Sequence, residues 1–340
     1  MTPSPLSGRV ELAHGGGGRA TSELIRTLFH RHLANPLLDQ GHDAAQLPPQ
    51  SGRLVMSTDA HVVSPLFFPG GDIGALSVHG TINDVAMAGA RPLALSAAFI
   101  LEEGLELAVL ERIVASLAKA AQEAGVPVAT GDTKVVERGK ADGVFITTTG
   151  IGVVPEGVEI GLARVRSGQS VLLSGPIGDH GIAILAQRQN MTFGTTITSD
   201  SAALHGLVAS MLKAAPGIAL LRDPTRGGLA ATLNEIADAA QVGINLEETA
   251  IPVRAEVASA CELLGLDPLH VANEGKLICI CNADDEQAAL AAMRAHPLGA
   301  QSAVIGRIEA GPPGLVRMTT AIGGSRVVDW ISGEQLPRIC

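Results

Sequence analysis

The alternation of strand-like and helix-like segments is interrupted once in this sequence, and that interruption limits what the chain can fold into. Apolar periodicity fades over Pro155–Arg166 and resumes at Ser170. A length of 340 residues suits two domains of about 100–200 residues each, and a hydrophobic content of 46% is enough for two cores. We therefore predict an N-terminal domain at residues 1–155, a C-terminal domain at 156–320 and a mobile tail at 321–340.

The first region has the pattern of four strands and two helices. The predicted helices are 73–89, which Asp72 caps, and 106–124, which ends at Gly125. The predicted strands are Arg53–Val63, Pro92–Leu101, Val126–Val136 and Val144–Val154, with a polar turn at Asp59 interrupting the first. This order predicts an α+β fold, in which helices cover one face of a mixed sheet. The other face would be apolar, so we expect a homodimer that buries it.

The second region predicts a C-terminal α/β domain. Its predicted strands are 170–174, 242–247, 276–281 and 302–309, and its predicted helices are 201–214, 228–241 and 284–295. A further helix follows Gly175–Gly181, a turn that either binds an anion through its backbone N–H groups or only connects two elements.

Charge and cysteine content exclude several classes of protein. A net charge of -10 argues against a nucleic-acid surface and favours small ligands with a cation. No apolar run reaches the length of a membrane span, and the N-terminus lacks the apolar core of a signal peptide. Cys261, Cys279, Cys281 and Cys340 give neither a disulfide framework nor zinc spacing. We therefore expect a soluble cytoplasmic protein without a membrane or nucleic-acid partner.

Four aspartates of the first region lie beside small residues at strand ends and turns. They are Asp43, Asp59, Asp84 and Asp132. Any one of them alone is best explained as a cap or a turn former. Four together, on elements that one sheet would gather, indicate a site for Mg²⁺ with ATP, because crowded carboxylates need cations. Lys134 lies two residues beyond Asp132, so it shares a strand face with it and could reach a phosphate.

Residues His14–Arg19 include four consecutive glycines, which cannot hold one conformation unaided. One interpretation is a lid whose backbone N–H groups fold over phosphates, and the other is a flexible leader. The segment is not a P-loop, because no strand precedes it and no Gly-Lys-Ser/Thr follows it.

The last residue of the chain is a cysteine, Cys340. A chain end is normally frayed, so its thiol should be mobile and reachable, with Trp330 as the anchor of the tail. The adjacent α-carboxylate disfavours the thiolate, which makes Cys340 a carrier of another group rather than a pre-activated nucleophile. Taken alone, an accidental cysteine on a disordered tail explains this feature as well.

Taken in order, the motifs of this chain resemble those of the ATP-using superfamily that includes aminoimidazole ribonucleotide synthetase, selenophosphate synthetase and thiamine-phosphate kinase. Within it, the chain most resembles the HypE family of hydrogenase maturation factors. The matching segments are His14–Arg19, Thr58-Asp59, Asn83–Ala90, Thr130–Val136, Ser174-Gly175, Gly178–Gly181, Arg222–Gly228, Asn273–Gly275 and Pro337–Cys340. The Asp, Gly and Lys motifs are shared across the superfamily, whereas the cysteine-terminated tail is specific. His42-Asp43 departs from the expected pattern and puts one metal contact in doubt.

The resemblance implies a two-domain PurM-like fold whose N-terminal domain binds ATP and dimerises through its sheet. It implies that a carbamoyl group on the terminal cysteine sulfur is converted to a thiocyanate at the expense of ATP, with Mg²⁺ as the metal. It also implies a carbamoyl-donating partner similar to HypF. The cyano group would then pass toward the iron of [NiFe]-hydrogenase through acceptor proteins similar to HypC and HypD.

Residue roles are carried over onto the matching positions of this sequence. The implied catalytic residues are Cys340 as carrier, Glu274 as base and Lys134 as phosphate-binding cation. The implied cofactor-binding residues are Asp43, Asp59, Asn83, Asp84, Gly131, Asp132, Thr133, Lys134 and Asp223, with Asp43, Asp59, Asp84 and Asp132 as metal ligands. Asp223 and Arg226 either complete this site or form a structural ion pair at the domain junction, and we favour the ion pair.

Two other functions are compatible with the sequence. A small-molecule kinase or synthetase of the same superfamily would have an irrelevant tail, and replacing Cys340 by Ala would leave its turnover intact. A nucleotide-dependent docking protein would bind nucleotide without releasing phosphate, even when its tail is carbamoylated.

Overall fold

The computed structural model describes residues 6–330 and 338–340. In the N-terminal half the strands are β1 Arg53–His61, β2 Phe67–Phe68, β3 Gly71–Asp72, β4 Arg91–Glu102, β5 Val128–Val136 and β6 Val144–Val154. The α-helices of this half are α1 Arg19–Leu24, α2 His30–Leu33, α3 Ile73–Met87 and α4 Leu107–Ala124, with a π-helical turn at Ile25–Phe29 between α1 and α2.

Four of these strands form a mixed sheet in the order β1-β6-β4-β5. Strands β4 and β5 are parallel, and the other two pairs are antiparallel. Helices α3 and α4 pack on one face of the sheet, as the sequence pattern predicts, and their apolar residues form one core with α1 and α2.

The pairing register decides which side chains reach this helical face, because directly paired residues share a face and successive residues alternate. One row across the sheet consists of Asp59, Thr148, Ala97 and Gly131, and the next row consists of Ala60, Thr147, Ala98 and Asp132. The Thr148 hydroxyl donates to the Ser77 carbonyl of α3 at 2.8 Å. The first row therefore faces the helices, and the second faces away from them.

Helix α3 begins at a strong cap and lies very close to the sheet. The Asp72 carboxylate accepts hydrogen bonds from the backbone N–H groups of Gly74 and Ala75 at 2.8 and 3.1 Å. Where α3 crosses β6 the strand carries Gly150, and a Cβ there would lie 2.9 Å from the Thr81 side chain. Small residues at this crossing let the helix hold its polar side chains against the sheet.

The C-terminal half contains a seven-stranded sheet in the order β13-β12-β9-β11-β7-β10-β8. Its strands are β7 Ser170–Leu173, β8 Ile218–Arg222, β9 Gly243–Glu247, β10 Ile278–Cys281, β11 Ala303–Glu309, β12 Val316–Thr319 and β13 Ser325–Val327. Its α-helices are α5 Asp179–Arg188, α6 His205–Ala214, α7 Gly228–Ala240, α8 Ala255–Leu264 and α9 Glu286–Ala295. Across residues 6–330 and 338–340, no helix has both the length and the apolar character needed to cross a membrane.

Asn83 of α3 joins the two halves. Its amide group donates to the carbonyls of Ala202 and Glu274 at 2.9 and 3.1 Å, and its carbonyl accepts from the Leu204 N–H at 2.7 Å. The side chain is 1% exposed. Both amide protons of Asn83 are thus donated within the domain junction, and its role in cofactor binding stays a prediction.

Several local predictions are wrong. Strand β1 runs without interruption through Asp59, because this residue pairs with Thr148 of β6. Strand β8 and helix α8 have no counterpart among the predicted elements. The apolar run of β8 is only five residues long, and α8 is a short helix between loops, so periodicity alone does not mark either.

Part of the predicted tail belongs to the C-terminal sheet. Strand β13 pairs with β12, and Val328 after it is 2% exposed. Trp330 is 50% exposed, so Val328 rather than Trp330 is the buried anchor. Residues 331–337 of the predicted tail lie outside the described residues.

Candidate active site

The last three residues dock on the N-terminal half where β1 ends. The Val62 N–H donates to the Cys340 carbonyl at 3.0 Å, and the Ser64 N–H donates to the Arg338 carbonyl at 3.3 Å. These two backbone hydrogen bonds hold the chain end alongside residues 62–64. The sequence predicts a frayed end; the structure instead holds it by backbone hydrogen bonds.

Side chains fix this docked position further. Arg338 donates to the Val62 carbonyl at 3.0 Å and forms a 2.7 Å ion pair with Asp142. Ile339 is 2% exposed, and its carbonyl accepts a 2.8 Å hydrogen bond from the buried His180. Because a carbonyl only accepts, His180 carries its proton on Nε2, and its Nδ1 accepts from Ser199. His180 is thus a structural residue that anchors the tail.

Docking places the Cys340 thiol among acidic groups. Burial raises the pKa of this thiol to about 12, and the charges of Glu274 and Asp59 contribute, while Arg226 opposes them. The sulfur is therefore a neutral thiol at physiological pH. This agrees with the prediction of a carrier rather than a pre-activated nucleophile.

Glu274 is the most deeply buried acid of this group. It is 4% exposed, and one of its carboxylate oxygens has no hydrogen-bond partner within the described residues. Burial raises the pKa of Glu274 well above its usual value, and the charges of Asp223 and Asp200 raise it further. A carboxyl group in such a place takes up protons readily, as a general base must.

The backbone around Glu274 is rigidly held. Its neighbour Asn273 accepts from the Gly178 N–H at 2.8 Å and donates to the Pro224 carbonyl at 2.9 Å. On the other side, Lys276 forms a buried 3.0 Å ion pair with Asp200. The sequence did not predict this ion pair. Its only indication was that Lys276 lies two residues after Glu274.

Asp59 of β1 and Asp84 of α3 also belong to the acidic group. The Ser57 hydroxyl donates to Asp84 at 2.8 Å. Burial raises the pKa of Asp84, and the nearby charge of Asp59 adds to this effect. Burial would raise the pKa of Asp59, but the close His61 side chain outweighs it, so that this pKa is lowered. His61 is 1% exposed, and its Nε2 lies 3.2 Å from the Asp59 carboxylate, an arrangement the sequence did not indicate.

Asp223 lies in the same group and is not paired with Arg226. No ion pair between the two is formed in the part of the chain that the structure describes, where Arg222 instead binds Glu235 at 2.6 Å. Burial and the charge of Asp84 raise the pKa of Asp223 to about 7. The structural ion pair that we favoured from the sequence is therefore wrong, and both side chains border a groove beside Asp84.

Asp132 and Lys134 are not brought to this acidic group within one chain. Lys134 lies 2.8 Å from Asp132 on the exposed edge strand β5, and this contact lowers the pKa of Asp132. Asp132 is in the row that faces away from the helices, whereas Asp59 faces them. Three strand spacings also separate β1 from β5, about 14 Å at ~4.8 Å each.

A cavity of about 330 Å³ lies at the β5 edge. Its lining includes Gly15 and Gly17, residues Gly131–Lys134 and the apolar side chains of Ile25, Phe29, Leu33, Leu38 and Phe99. Gly15 packs so closely that a Cβ there would lie 2.6 Å from the Val135 nitrogen. The glycine-rich segment therefore covers this cavity as a lid would, and Gly131 and Thr133 line its wall.

The remaining predicted ligand, Asp43, lies in an exposed loop before β1. Over residues 6–330 and 338–340, no three His, Cys, Asp or Glu side chains lie close enough together to enclose a metal ion. The acids near Cys340 nevertheless lack a full set of countercharges, as the raised pKa values of Asp84 and Asp223 show. Such a group fits a hydrated cation that also binds phosphates, not an all-protein cage.

Comparisons with known proteins agree with this arrangement. A family profile described as AIR synthase related protein, N-terminal domain, matches residues 41–154, and the corresponding C-terminal domain profile matches residues 166–317. The Carbamoyl dehydratase HypE of Cupriavidus necator is 64% identical to this chain over 335 residues, which are 98% of this chain and 95% of that protein. The chain belongs to the HypE family.

Solved structures of the HypE family share the whole fold. HypE in complex with ATP matches with a TM-score of 0.94 at 52% identity, over 97% of this chain and 99% of that one. The HypE-HypF complex matches with a TM-score of 0.80 at 45% identity, over 91% and 99% of the two chains. The predicted two-domain PurM-like fold is thereby confirmed.

Proposed function

We propose that this protein is an ATP-dependent carbamoyl dehydratase. It converts an S-carbamoyl group on Cys340 into a thiocyanate and so supplies the cyanide ligand for the iron of [NiFe]-hydrogenase. The observation that carries this proposal is the docking of the terminal sulfur beside the buried Glu274. The enzyme name of the 64% identical relative supports the same reaction.

The reaction needs ATP because an amide oxygen is a poor leaving group. In the first step the carbamoyl oxygen forms a bond to the γ-phosphorus, the bond to ADP breaks, and one N–H proton leaves. In the second step the C–O bond breaks, phosphate departs with the second N–H proton, and a C≡N triple bond forms. The sum is thiocyanate, ADP, phosphate and one proton from S-carbamoyl and ATP.

Glu274 is the proposed base that takes the proton from the carbamoyl nitrogen. Its raised pKa makes its ionised form a stronger base than an ordinary glutamate. The ionised fraction of Glu274 grows as pH rises, so the dehydration rate should rise with pH. Burial of Ile339 beside the thiol keeps water from the reacting carbon.

ATP is proposed to bind in the cavity at the β5 edge. Its apolar wall, which includes Phe29 and Phe99, suits an adenine ring, and its rim carries Asp132 and Lys134. Lys134 would bind the phosphates, with the glycine-rich segment closing over them. The related HypE solved with ATP supports nucleotide binding in this fold.

Mg²⁺ is the proposed metal, with Asp43, Asp59, Asp84 and Asp132 as its candidate ligands and Asp223 beside them. The unbalanced carboxylates near Cys340 fit a cation held by one or two of them, by phosphate oxygens and by water. When bound, Mg²⁺ would neutralise charge on the transferring phosphoryl group.

A homodimer is proposed, because one chain keeps Lys134 and Cys340 at opposite edges of its sheet. The sheet face that points away from the helices exposes Leu54, Met56 and Ile100, and it also carries Asp132 and Lys134. A second copy seated on this face would bury the apolar side chains. It would also bring phosphate-binding groups of one copy toward the tail of the other copy.

The proposed partners follow from the reaction. The solved HypE-HypF complex supports a HypF-like protein as the carbamoyl donor. HypC-like and HypD-like iron scaffold proteins are the proposed acceptors of the cyano group. The four cysteines are free thiols, which suits a reducing cytoplasm, the proposed location.

Mass spectrometry of the C-terminal peptide tests the proposal. After incubation with the carbamoyl donor and ATP, the peptide that contains Cys340 should gain one carbamoyl group and then lose the mass of one water. An unmodified peptide, or a carbamoylated peptide that persists in the presence of ATP, contradicts the proposed function.

A further inference from the structure

Arg226 is a cation that the proposed reaction has not yet used. It is exposed, and no ion pair or hydrogen bond involves its guanidinium within the described residues, whereas the nearby Arg222 is paired with Glu235. Arg226 borders the groove that Asp84 and Asp223 also line. An arginine that projects into an acidic groove without a partner is placed to bind an anion or a developing negative charge.

The loop that carries Arg226 is held against the backbone beside Glu274. Asn273 donates to the Pro224 carbonyl from both its side chain and its backbone N–H, at 2.9 and 3.2 Å. Gly228 has a φ of 64°, and a Cβ there would lie 2.5 Å from the Leu269 carbonyl oxygen. The side chain of Arg226 therefore projects from a fixed backbone that also positions the proposed base.

The charge of Arg226 also acts on the group that carries the reacting atoms. It opposes the burial and the Glu274 charge that raise the pKa of Cys340. Together with the hydrogen bonds that hold its loop against Asn273, this places Arg226 within electrostatic reach of the sulfur that carries the carbamoyl group.

We propose that Arg226 binds the oxygen of the carbamoyl group on Cys340 and stabilises the negative charge that this oxygen gains during dehydration. This role rests on the proposed function. As Glu274 removes the N–H proton, the electron pair shifts toward the carbamoyl oxygen, which then attacks the γ-phosphorus. After transfer the same oxygen bridges carbon and phosphorus, and it leaves with the phosphate. Arg226 stays in place as the positive charge that stabilises this oxygen in both steps.

The experiment starts from the full-length protein carbamoylated on Cys340 by its donor. ATP and Mg²⁺ are added, and loss of water from the C-terminal peptide is followed by mass spectrometry. Arg226→Gln should slow this step by about 100- to 1000-fold, the effect of removing one donor from an oxyanion site. Arg226→Lys keeps the charge but not the planar fork, so it should slow the step by only about tenfold. Carbamoylation and ATP affinity should stay near wild-type values in both variants.

Arg222→Gln is the matched control, because Arg222 borders the same groove but is already paired with Glu235. It should dehydrate the carbamoyl group at nearly the wild-type rate. If Arg226→Gln misfolds by circular dichroism, Arg226→Lys decides, and a wild-type rate in that variant overturns the proposal.

Two results overturn the role of Arg226 while leaving the proposed function intact. One is an equal dehydration rate in Arg226→Gln and Arg222→Gln. The other is loss of ATP affinity in Arg226→Gln, which would make Arg226 a nucleotide ligand. Failure of the wild-type protein itself to lose water would instead reject the proposed function.

Discussion

At the β1 edge of the N-terminal sheet, Asp59 of β1 and Asp84 of α3 lie near the buried Glu274. At the β5 edge, Asp132 is exposed and paired with Lys134. Burial raises the pKa of Glu274 at the first edge, and a cation lowers the pKa of Asp132 at the second. The difference shows that the carboxylates of the two edges are in opposite electrostatic environments. These environments suit the two proposed roles, proton removal from a group on Cys340 at the first edge and nucleotide binding at the second.

Replacing Glu274 by Gln should have the largest effect on this contrast. Loss of the base should slow dehydration by about 1000-fold, within the range for general base catalysis, while ATP binding at the β5 edge stays unchanged. The C-terminal peptide should therefore remain carbamoylated in the presence of ATP. Dehydration at the wild-type rate would assign proton removal to another group.

The same variant should also be more stable at neutral pH, because a glutamine side chain cannot ionise and so avoids the cost of a buried carboxyl group with a raised pKa. A carboxyl whose folded pKa is raised binds protons more tightly than in the unfolded chain. Its cost is therefore present at neutral pH and vanishes as pH falls below the unfolded pKa of about 4.3. Thermal unfolding of wild-type and Glu274→Gln should converge at acidic pH, and a constant difference would contradict this explanation.

Replacing Lys134 by Met tests the other edge. Phosphoryl transfer should slow by about 100-fold, because one phosphate-binding cation is lost. The alkylation rate of Cys340 should not change in the absence of ATP, since the two sites are separate within a chain. Lys119→Met is the control, as Lys119 is an exposed residue of α4. A change in the alkylation rate of Cys340 in Lys134→Met would show that the β1 and β5 edges are coupled.

The smallest expected effect comes from loosening the docked tail. Ile339→Ala removes a buried side chain and should shift the tail toward undocked states, so that Cys340 is alkylated about tenfold faster. Ile322→Ala is the control, because Ile322 is 96% exposed. Equal alkylation rates in the two variants would mean that the backbone pairing at residues 62–64 holds the tail without Ile339.

Strong local signals predicted much of the fold. Helix α3 follows from the Asp72 cap and an apolar period, and α4 follows from its amphipathic pattern and Gly125 at its end. Helix α8 was missed, since it is short and its N-cap residue, Arg254, has no side-chain oxygen to accept a hydrogen bond from the first backbone N–H groups. The charge of Glu274 acts on Cys340 although the two residues lie far apart in sequence. The role of Glu274 as base, which the family resemblance implies, stays a prediction.

The sequence by itself determined which side chains are available: a terminal thiol, a set of aspartates beside small residues, and Lys134 on the same strand face as Asp132. Only the tertiary structure decided where they lie. A shift of one residue in strand register exchanges the two faces of a sheet, so the separation of Asp59 from Asp132 depends on pairing with β6 and β4. Likewise, long-range contacts at the domain junction decide that the Asn83 amide bonds to Ala202 and Glu274 and that Arg226 has no ion-pair partner among residues 6–330 and 338–340.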